Sequence, residues 1–471
     1  MKDLKEILDL ERPASDIIND LQVKSVIVPE WSKEVKNYEP QLHDIVTDTN
    51  MRKDKVVDGH LEKAARIYIG LEKLLCKRID EFTFGIPVKR TYSNIEGNET
   101  RKAISKAIEA IYKNARIDAE NINRGLKYYA SSEIFTLWYL VKKDNSLYGF
   151  DSKYKVKCQT YSPMDGVRLY PLFDEYKDLL AMSFWYITRI GDEDVTFFET
   201  YTADRHYKWK SSKDSDGWEL ETNDEIILGK IPGIYMYRNR PVYDGLSVLR
   251  NEIEYTLSRN SDIIAYNAAP VLMVSGQLIG DEVKGETRRR YRVENGGSVS
   301  YVSWNQSIEA MKYQVENLIE MFFMQAQMPN ISFEKMVGLG SIGYDARQTI
   351  FMDSHLKIAD EAGPWLEFLD REANVIKAFL AKMNESWAKE VDNVSIASVI
   401  TPFNQNDEKG VIDNMIRANG GKPLISQYES IEKAGLTENA DETMKLLKEE
   451  ASEEAQGLVD KLTDAFNEPT S

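Results

Sequence analysis

The sequence predicts an α+β fold, because strand-forming and helix-forming segments occupy different parts of the chain. A β-rich section over residues 134–220 contains short runs of Val, Ile, Tyr, Phe, Trp and Thr, the residue types that strands favour. Helical periodicity dominates most of the rest, and its longest stretch runs from Asp345 to about Met383. A straight helix of that length would measure about 60 Å, at ~1.5 Å per residue. We therefore expect an elongated subunit that packs beside copies of itself.

The composition is that of a protein with a large core. Of the 471 residues, 42% are hydrophobic, and the longest apolar run, 268–274, is far too short to cross a bilayer. The first residues lack the apolar segment of a signal peptide. Cys76 and Cys158 lie in unrelated contexts, which supports neither a disulfide framework nor a cysteine metal site. We therefore expect a cytoplasmic product with reduced thiols.

The net charge of −17 argues against a protein that grips nucleic acid, since that affinity comes from clustered Lys and Arg. It does not exclude a protein past which nucleic acid slides. The charge is uneven, because residues 401–471 hold 15 acidic and 7 basic residues, a net charge of −8. The simplest interpretation of this acidic tail is a solvated helical face.

The N-terminal third is predicted to be mainly helical. Residues 1–55 are polar and interrupted by prolines, which predicts a peripheral arm of short helices. Apolar spacing predicts a helix over 59–82 that ends at Gly85 and Pro87. Two further helices are predicted over 99–114 and 119–130.

The β-rich section is predicted to consist of short strands separated by Gly, Asp and Ser turns. Residues 142–145, 192–194 and 212–217 are predicted turns. The section closes with residues 231–237. The predicted strands cover 134–141, 156–161, 179–190, 195–202, 205–209 and 218–220.

The second half alternates helices with small β elements. Helices are predicted over 244–267 and 306–327, on either side of a small β module at 268–305. A glycine-bearing loop over 328–343 precedes the long helix, in which Gly363 and Pro364 predict a kink. A single returning strand is expected at 394–400, followed by a helical tail with a turn at 420–423.

The segment from Gly338 to Gly343 matches the G-x-G-x-x-G pattern of dinucleotide-binding proteins. That motif requires a buried strand before it and a short helix leading to a second strand after it. Here one long helix follows, so a mobile loop explains the glycines better. A nucleotide- or sugar-acting enzyme that uses this loop remains an alternative.

Little else in the sequence indicates catalysis or a cofactor. The four histidines show no H-x-x-x-H spacing and have no nearby cysteine, so a metal site is not indicated. The chain has no G-x-S-x-G elbow and no Walker A sequence. Carboxylate pairs are too common in so acidic a chain to indicate a glycosidase.

The small β module carries the most concentrated positive charge, at Arg288, Arg289, Arg290 and Arg292. These arginines could contact phosphate or an acidic protein partner, or form intersubunit ion pairs with nearby acids such as Glu286. The two flanking helices carry more acidic than basic residues. If they lined a channel they would repel DNA phosphates, and otherwise they are solvated faces.

Several short motifs, taken in their order, resemble the portal proteins of tailed double-stranded DNA bacteriophages, over about residues 38–447. Residues 79–88 are similar to the family's helix followed by Gly-x-Pro, and residues 231–237 to the strand before its first stem helix. The other motifs are Ser258-Arg259-Asn260-Ser261-Asp262, the apolar run 270–276, and Ser341-Ile342-Gly343-Tyr344-Asp345-Ala346.

The resemblance implies a ring of subunits, usually twelve, at one vertex of the capsid. It divides the chain into a wing with an N-terminal arm, two stem helices, a clip, a tunnel loop, a long kinked helix with a returning wing strand, and a helical crown with an acidic tail. The wing with its arm covers 1–240. The first stem helix is 241–267, the clip 268–305 and the second stem helix 306–327. The tunnel loop is 328–343, the long helix with the returning strand 344–400, and the crown with its tail 401–471.

The same resemblance implies a function without a cofactor, a membrane or a catalytic step. Double-stranded DNA passes through the ring without sequence specificity during packaging and ejection. The terminase large subunit and later a head-tail adaptor dock on the clip, where Arg288, Arg289, Arg290 and Arg292 are the candidate contacts. Major capsid and scaffolding proteins are further partners, in a virion assembled in the host cytoplasm. The residues expected to face DNA are Asn330, Ser332, Glu334, Lys335, Gly338, Gly340 and Ser341.

This chain departs from many relatives at the tunnel loop. An asparagine, Asn330, follows Pro329 where many relatives have an acidic residue, and Glu334 and Lys335 add charges of both signs. The electrostatics of the loop toward DNA therefore do not transfer from the family. Another minor capsid protein is the remaining alternative within the virion.

Overall fold

The structure is a computed structural model that separates into two units. One unit comprises Met1–Ser332 with Phe351–Phe403, and the other Phe333–Ile350 with Asn404–Ser471. The α+β prediction is confirmed. The described residues are 4–57, 59–211, 217–267, 271–277, 283–284, 289–290, 293–294, 296–302, 308–330, 351–403, 408–420, 423–435, 437 and 440–467.

The N-terminal arm consists of short helices, as predicted. They are α1 (Leu4–Ile7), α2 (Ala14–Leu21), α3 (Trp31–Tyr38) and α4 (Asp44–Thr47). The arm is not a loose appendage, because Ile17, Ile18 and Leu21 of α2 are buried in one apolar cluster with Phe198 and Trp209.

The helix predicted over 59–82 is wrong in its first half. A hairpin of β1 (Lys55–Val57) and β2 (His60–Glu62) comes first, and helix α5 spans only Leu71–Phe84. The apolar spacing was compatible with a helix, but backbone amides between residues 65 and 69 instead bond to side chains of another helix. The end of α5 agrees with the prediction, because Gly85 caps it by donating to the Glu81 carbonyl at 2.9 Å.

The next two predicted helices are confirmed as α6 (Glu99–Ala115) and α7 (Ile117–Ser131). They are joined through a single residue, Arg116, whose backbone has a left-handed φ of 54°. Asn98 caps the start of α6, where its side chain accepts from the Arg101 amide at 3.1 Å.

Two antiparallel sheets form the β-rich section. Strands β4 (Glu133–Asn145), β5 (Ser152–Tyr161) and β11 (Gly233–Tyr237) form a three-stranded sheet in the order β11-β4-β5. The turn predicted at 142–145 is wrong, because β4 continues there and Lys142 pairs with Tyr154.

The second sheet has the order β10-β9-β8-β7-β6. Strand β6 was not predicted, because Pro171 lies inside it; β6 tolerates the proline as an edge strand. The strand predicted at 218–220 extends further, to residue 225. The members are β6 (Arg168–Phe173), β7 (Leu179–Ile190), β8 (Glu193–Thr202), β9 (Arg205–Ser211) and β10 (Glu219–Glu225).

Helices α8 (Ser247–Asn267) and α9 (Ile308–Gln325) flank the small β module, as predicted. Within the module, β12 (Val271–Ser275) pairs antiparallel with β15 (Ser298–Val302). A second pair joins β13 (Val283–Lys284) to β14 (Arg289–Arg290).

The long helix α10 spans Met352–Met383 and continues through Gly363 and Pro364. The predicted break therefore does not interrupt the helix, and a kink at this pair stays a prediction. The predicted start at Asp345 lies outside the described residues. The returning strand is confirmed as β16 (Ser395–Val399), and it pairs with β3 (Lys89–Ser93), which was not predicted.

Helix α10 is held in the main core by a buried ion pair. Arg124 of α7 donates to Glu372 of α10 at 2.6 Å and 3.2 Å, and both side chains are 0% exposed. The indole of Trp138 donates to the same carboxylate at 3.2 Å. Phe368, one turn earlier than Glu372, and Trp365, two turns earlier, add apolar contacts.

The second unit is helical, as predicted for the tail. Its described helices are α11 (Glu408–Asn419), α12 (Gln427–Ala434) and α13 (Ala440–Asn467). Ser426 and Glu429 form a reciprocal capping box at the start of α12.

Candidate functional site: the helix pair that carries the small β module

Helices α8 and α9 are rooted in the main core and become exposed toward the β module. Ile253 at the start of α8 is buried, whereas Tyr266 near its end is 87% exposed. The gradient is reversed in α9, where Tyr313 is 68% exposed and Phe322 is buried. Because the strands next to their exposed ends pair antiparallel, the two helices run in opposite directions. The pair thus presents the β module at its exposed end.

An extended segment over residues 63–70, which we call the strap, lies along α8. Its amides at Ala65, Ile67 and Ile69 donate to Asp262 Oδ1 at 3.0 Å, Ser258 Oγ at 2.8 Å and Glu254 Oε1 at 2.9 Å. Two residues of extended chain advance about 6.6 Å, and four residues of helix about 6.0 Å. This match lets every second amide of the strap meet every fourth residue of α8.

The outer end of the strap is fixed by ion pairs. Arg52 bonds to Asp262, the same carboxylate that accepts from Ala65. Asp54 accepts from the Ala64 amide at 2.9 Å and from Arg66 at 2.8 Å. Half-exposed pairs of this kind each stabilise by about 0–1 kcal/mol, so together they fix the position of the strap more than they stabilise the fold.

A buried ionic network lies beneath the root of α8. Arg250 donates to Glu72 Oε1 of α5 at 3.0 Å and to Asn37 Oδ1 at 3.1 Å. His43 Nδ1 lies 2.6 Å from Glu254 Oε1. Burial raises the pKa of Glu72, and the adjacent Arg250 guanidinium partly offsets that rise. The arm, α5 and α8 are therefore tied together by polar groups that are largely buried.

The acidic residues of the helix pair divide into two groups. Glu254 and Asp262 of α8 are bonded to the strap; Glu254 is buried, whereas the Asp262 side chain is 41% exposed. The exposed acids are Glu252 on α8 and, on α9, Glu309, Glu316 and Glu320. The prediction that these helices repel DNA phosphates therefore rests on the second group.

The structure brings few of the predicted site residues together. Asn330 is half-buried, two residues after the buried Met328. The remaining predicted tunnel-loop residues and two of the four arginines lie outside the described residues, whereas Arg289 and Arg290 form β14. The predictions that lie outside are Ser332, Glu334, Lys335, Gly338, Gly340, Ser341, Arg288 and Arg292.

The residues that hold the strap were missed by sequence reasoning. A signal was available, because Glu254, Ser258 and Asp262 recur at every fourth position and share one helix face. Polar residues on a helix face normally indicate solvent, however, and nothing marks residues 63–70 as their partner.

Metal-binding and membrane-spanning elements are not found in the part of the chain that the structure describes. No group of three or more His, Cys, Asp or Glu side chains there could hold a metal ion. None of the helices described is long and apolar enough to cross a membrane.

A family comparison identifies the protein. Residues 27–457 match the model of the family described as phage portal protein, SPP1 Gp6-like. The match defines the class as portal proteins, which are virion components at a capsid vertex and are structural rather than enzymatic. Within that class, the chain belongs to the SPP1 Gp6-like phage portal protein family. The resemblance to tailed-phage portal proteins is thereby confirmed.

Solved structures of gene transfer agent (GTA) particles are similar to the chain at low identity. The neck of an empty GTA particle computed with C6 symmetry is 11% identical, covers 85% of this chain and 95% of that chain, and gives a TM-score of 0.38. The neck of a native GTA particle computed with C12 symmetry is 11% identical, covers 84% of this chain and 94% of that chain, and gives a TM-score of 0.37. The virion of a native GTA particle is 8% identical, covers 89% of this chain and 98% of that chain, and gives a TM-score of 0.37. No curated protein sequence matches the chain.

Proposed function

We propose that this portal protein assembles into a closed ring of twelve identical subunits, and that double-stranded DNA passes through the ring without sequence specificity. The observation that carries this proposal is the helix pair that is rooted in the core and exposed beyond it. Val248, Tyr266 and Met324 are each at least 70% exposed in the single chain. In a ring, neighbouring copies of the same helix pair would cover these apolar side chains.

In this proposal, each segment of the chain has its own part in the ring subunit. Residues 241–267 and 306–327 act as the stem, 268–305 as the clip, and 328–343 as the tunnel loop. Residues 1–240 and 344–400 form the wing, with a kink at Gly363 and Pro364, and 401–471 form the crown. In a ring, the exposed glutamates of α9 favour free passage of DNA, because carboxylates repel its phosphates.

Docking on the clip is the second part of the proposed function. The terminase large subunit binds there during packaging and the head-tail adaptor afterwards, with Arg288, Arg289, Arg290 and Arg292 as contacts to acidic groups. The ring also contacts major capsid and scaffolding proteins, assembles in the host cytoplasm and hydrolyses nothing. Reversing Arg288, Arg289 and Arg290 to Glu should weaken terminase or adaptor binding. Unchanged binding would favour ion pairing between subunits.

Deletion of residues 332–340 tests the conduit function. The deletion should leave ring assembly intact, because the helix pair and the wing keep their contacts. It should impair DNA packaging or retention, measured as nuclease-protected DNA per particle. Normal packaging by rings that lack these residues would show that the tunnel loop is not a DNA contact.

A further inference from the structure

A cavity of about 600 Å³ lies between β3 and the junction of α6 with α7. Val88 and the alternate strand residues Arg90 and Tyr92 form one wall, because side chains at every second position share a face. Tyr112 and the α6–α7 junction form the opposite wall. The cavity is remote in sequence from the helix pair, and the proposed conduit does not use it.

Arg90 is the unusual residue of this cavity. Its guanidinium lies over the Tyr112 ring, 4.0 Å from the centroid, and Nη1 donates to the Val88 carbonyl at 3.4 Å. The Nε and Nη2 atoms are buried and have no hydrogen-bond partner among the described residues. The hydroxyl of Tyr92 is buried without a partner as well. Several strong donors of the cavity wall thus lack acceptors.

Among the described residues, two arginines are fully buried, and both are paired with a carboxylate. Arg124 is paired with Glu372, and Arg250 with Glu72. Arg90 is the contrast, since no carboxylate of the described residues lies within ion-pair distance of it. The free Nε and Nη2 atoms form the side-on edge of a guanidinium, the geometry that binds two oxygens of one carboxylate or phosphate.

The rim of the cavity carries charges of both signs. Lys113 and Arg116 are exposed cations, and Glu109 and Asp118 are exposed acids. With Arg90, the cavity has three basic and two acidic side chains. Arg116 lies between the C-terminal end of α6 and the N-terminal end of α7, so the opposite partial charges of the two helix ends offset each other at this rim. The net positive charge of these five side chains favours an anion, and the anion must be small enough to pass the two carboxylates.

We propose that this cavity binds a small oxyanion, a phosphate or carboxylate group, on the side-on edge of Arg90 with Tyr92 as a further donor. The anion enters past Lys113 and Arg116 and displaces the side chains that now shield Nε and Nη2. Glu109 lies on the same rim, and its carboxylate repels the incoming anion. The group bound could be free inorganic phosphate or a carboxylate, which share the same two-oxygen geometry.

Calorimetric titration of the full chain tests the proposal, with inorganic phosphate and acetate as separate probes at constant ionic strength. Arg90→Gln should abolish binding. Arg90→Lys should weaken binding about tenfold, because the charge remains but the edge with two donors is lost. Glu109→Gln should strengthen binding, because it removes a negative charge from the rim. Arg168→Gln is the matched control, since Arg168 also stacks on an aromatic ring, that of Trp185, at 4.7 Å. Binding of only one of the two probes shows whether the cavity takes a phosphate or a carboxylate group.

Two results would overturn the proposal. One is the absence of binding by the wild-type chain with both probes. The other is binding that is equal in the wild type, Arg90→Gln and Arg90→Lys, which would place the anion elsewhere. Thermal unfolding of each variant without a probe shows whether a loss of binding is a loss of folding. If Arg90→Gln is unstable, Arg90→Lys serves instead, because lysine keeps a long aliphatic side chain beside the Tyr112 ring.

Discussion

The His43 ring lies with Nδ1 2.6 Å from Oε1 of Glu254, and both side chains are completely buried. The same carboxylate oxygen accepts from the Ile69 amide of the strap at 2.9 Å. One residue of α8 therefore joins the N-terminal arm and the strap. The helix pair that defines the subunit is braced by segments about 200 residues earlier in the chain.

Removal of a strap contact should loosen the strap without unfolding the protein. In Ser258→Ala, the Ile67 amide loses its acceptor at 2.8 Å, which we expect to cost about 1 kcal/mol. Hydrogen exchange at Ile67 should accelerate. Arg259→Ala, at the next and exposed position, is the control. Equal exchange rates at Ile67 in the wild type and Ser258→Ala would show that Ser258 does not hold the strap.

The buried pair of Arg124 and Glu372 should matter far more than an exposed pair on the same helix. Glu372→Gln leaves a buried guanidinium without its counter-charge and should lower the free energy of unfolding by about 3–5 kcal/mol. Glu367→Gln removes an exposed pair with Arg371 and should cost about 0–1 kcal/mol. Urea unfolding measures both, and similar losses for the two variants would contradict the assigned role of Glu372.

Asp80 should make the protein less stable as the pH rises. Burial, with a smaller contribution from Glu81, raises the pKa of Asp80 to about 8. Between pH ~4 and ~8 the unfolded chain has lost this proton while the folded chain keeps it, so stability falls with increasing pH across that window. Asp80→Asn should flatten this dependence and stabilise the protein at neutral pH.

The free energy of unfolding measured from pH 5 to 9 tests this assignment. The exposed carboxylate Asp353 supplies the control, because Asp353→Asn should leave the slope unchanged. A slope that is the same in the wild type and in Asp80→Asn would mean that Asp80 is ionised in the folded chain.

Two glycine substitutions should have opposite effects. A Cβ at Gly125 would lie 2.0 Å from Asp80 Oδ1 and 2.8 Å from Phe84, so Gly125→Ala should cost about 1–3 kcal/mol through overpacking. A Cβ at Gly363 meets nothing within 4 Å, so Gly363→Ala should stabilise α10 by about 0.5–1 kcal/mol. Thermal unfolding distinguishes them, and destabilisation by Gly363→Ala would indicate that the helix needs glycine at the Pro364 turn.

Local sequence patterns predicted the helices and strands that are determined by their own residues rather than by contacts with distant segments. The α6 and α7 helices, β7 and the returning strand β16 follow from apolar spacing and β-branched content. The order of motifs also predicted the family, since no single motif is specific but their sequence along the chain is. The α+β class and the helix pair around the small β module followed in the same way.

Contacts between distant segments could not be predicted. Residues 63–70 have helical spacing, but the side-chain oxygens of Glu254 and Ser258, almost 200 residues later, bind their amides and keep the chain extended. Strand β3 is short, and its residues alternate between exposed and half-buried. Only its pairing with β16 makes it a strand. The stacking of Arg90 on Tyr112 likewise depends on how β3 lies against α6.

The oligomeric state of the purified full-length chain tests the central claim most directly. Native mass spectrometry with negative-stain microscopy should show closed rings of about twelve subunits with a central channel, as expected for a symmetric homo-oligomer. Substituting Tyr266 and Tyr313 by Asp should shift the population toward monomers, because both side chains are exposed on the helix pair. A wild-type chain that stays a monomer or dimer under all conditions would contradict the proposed conduit.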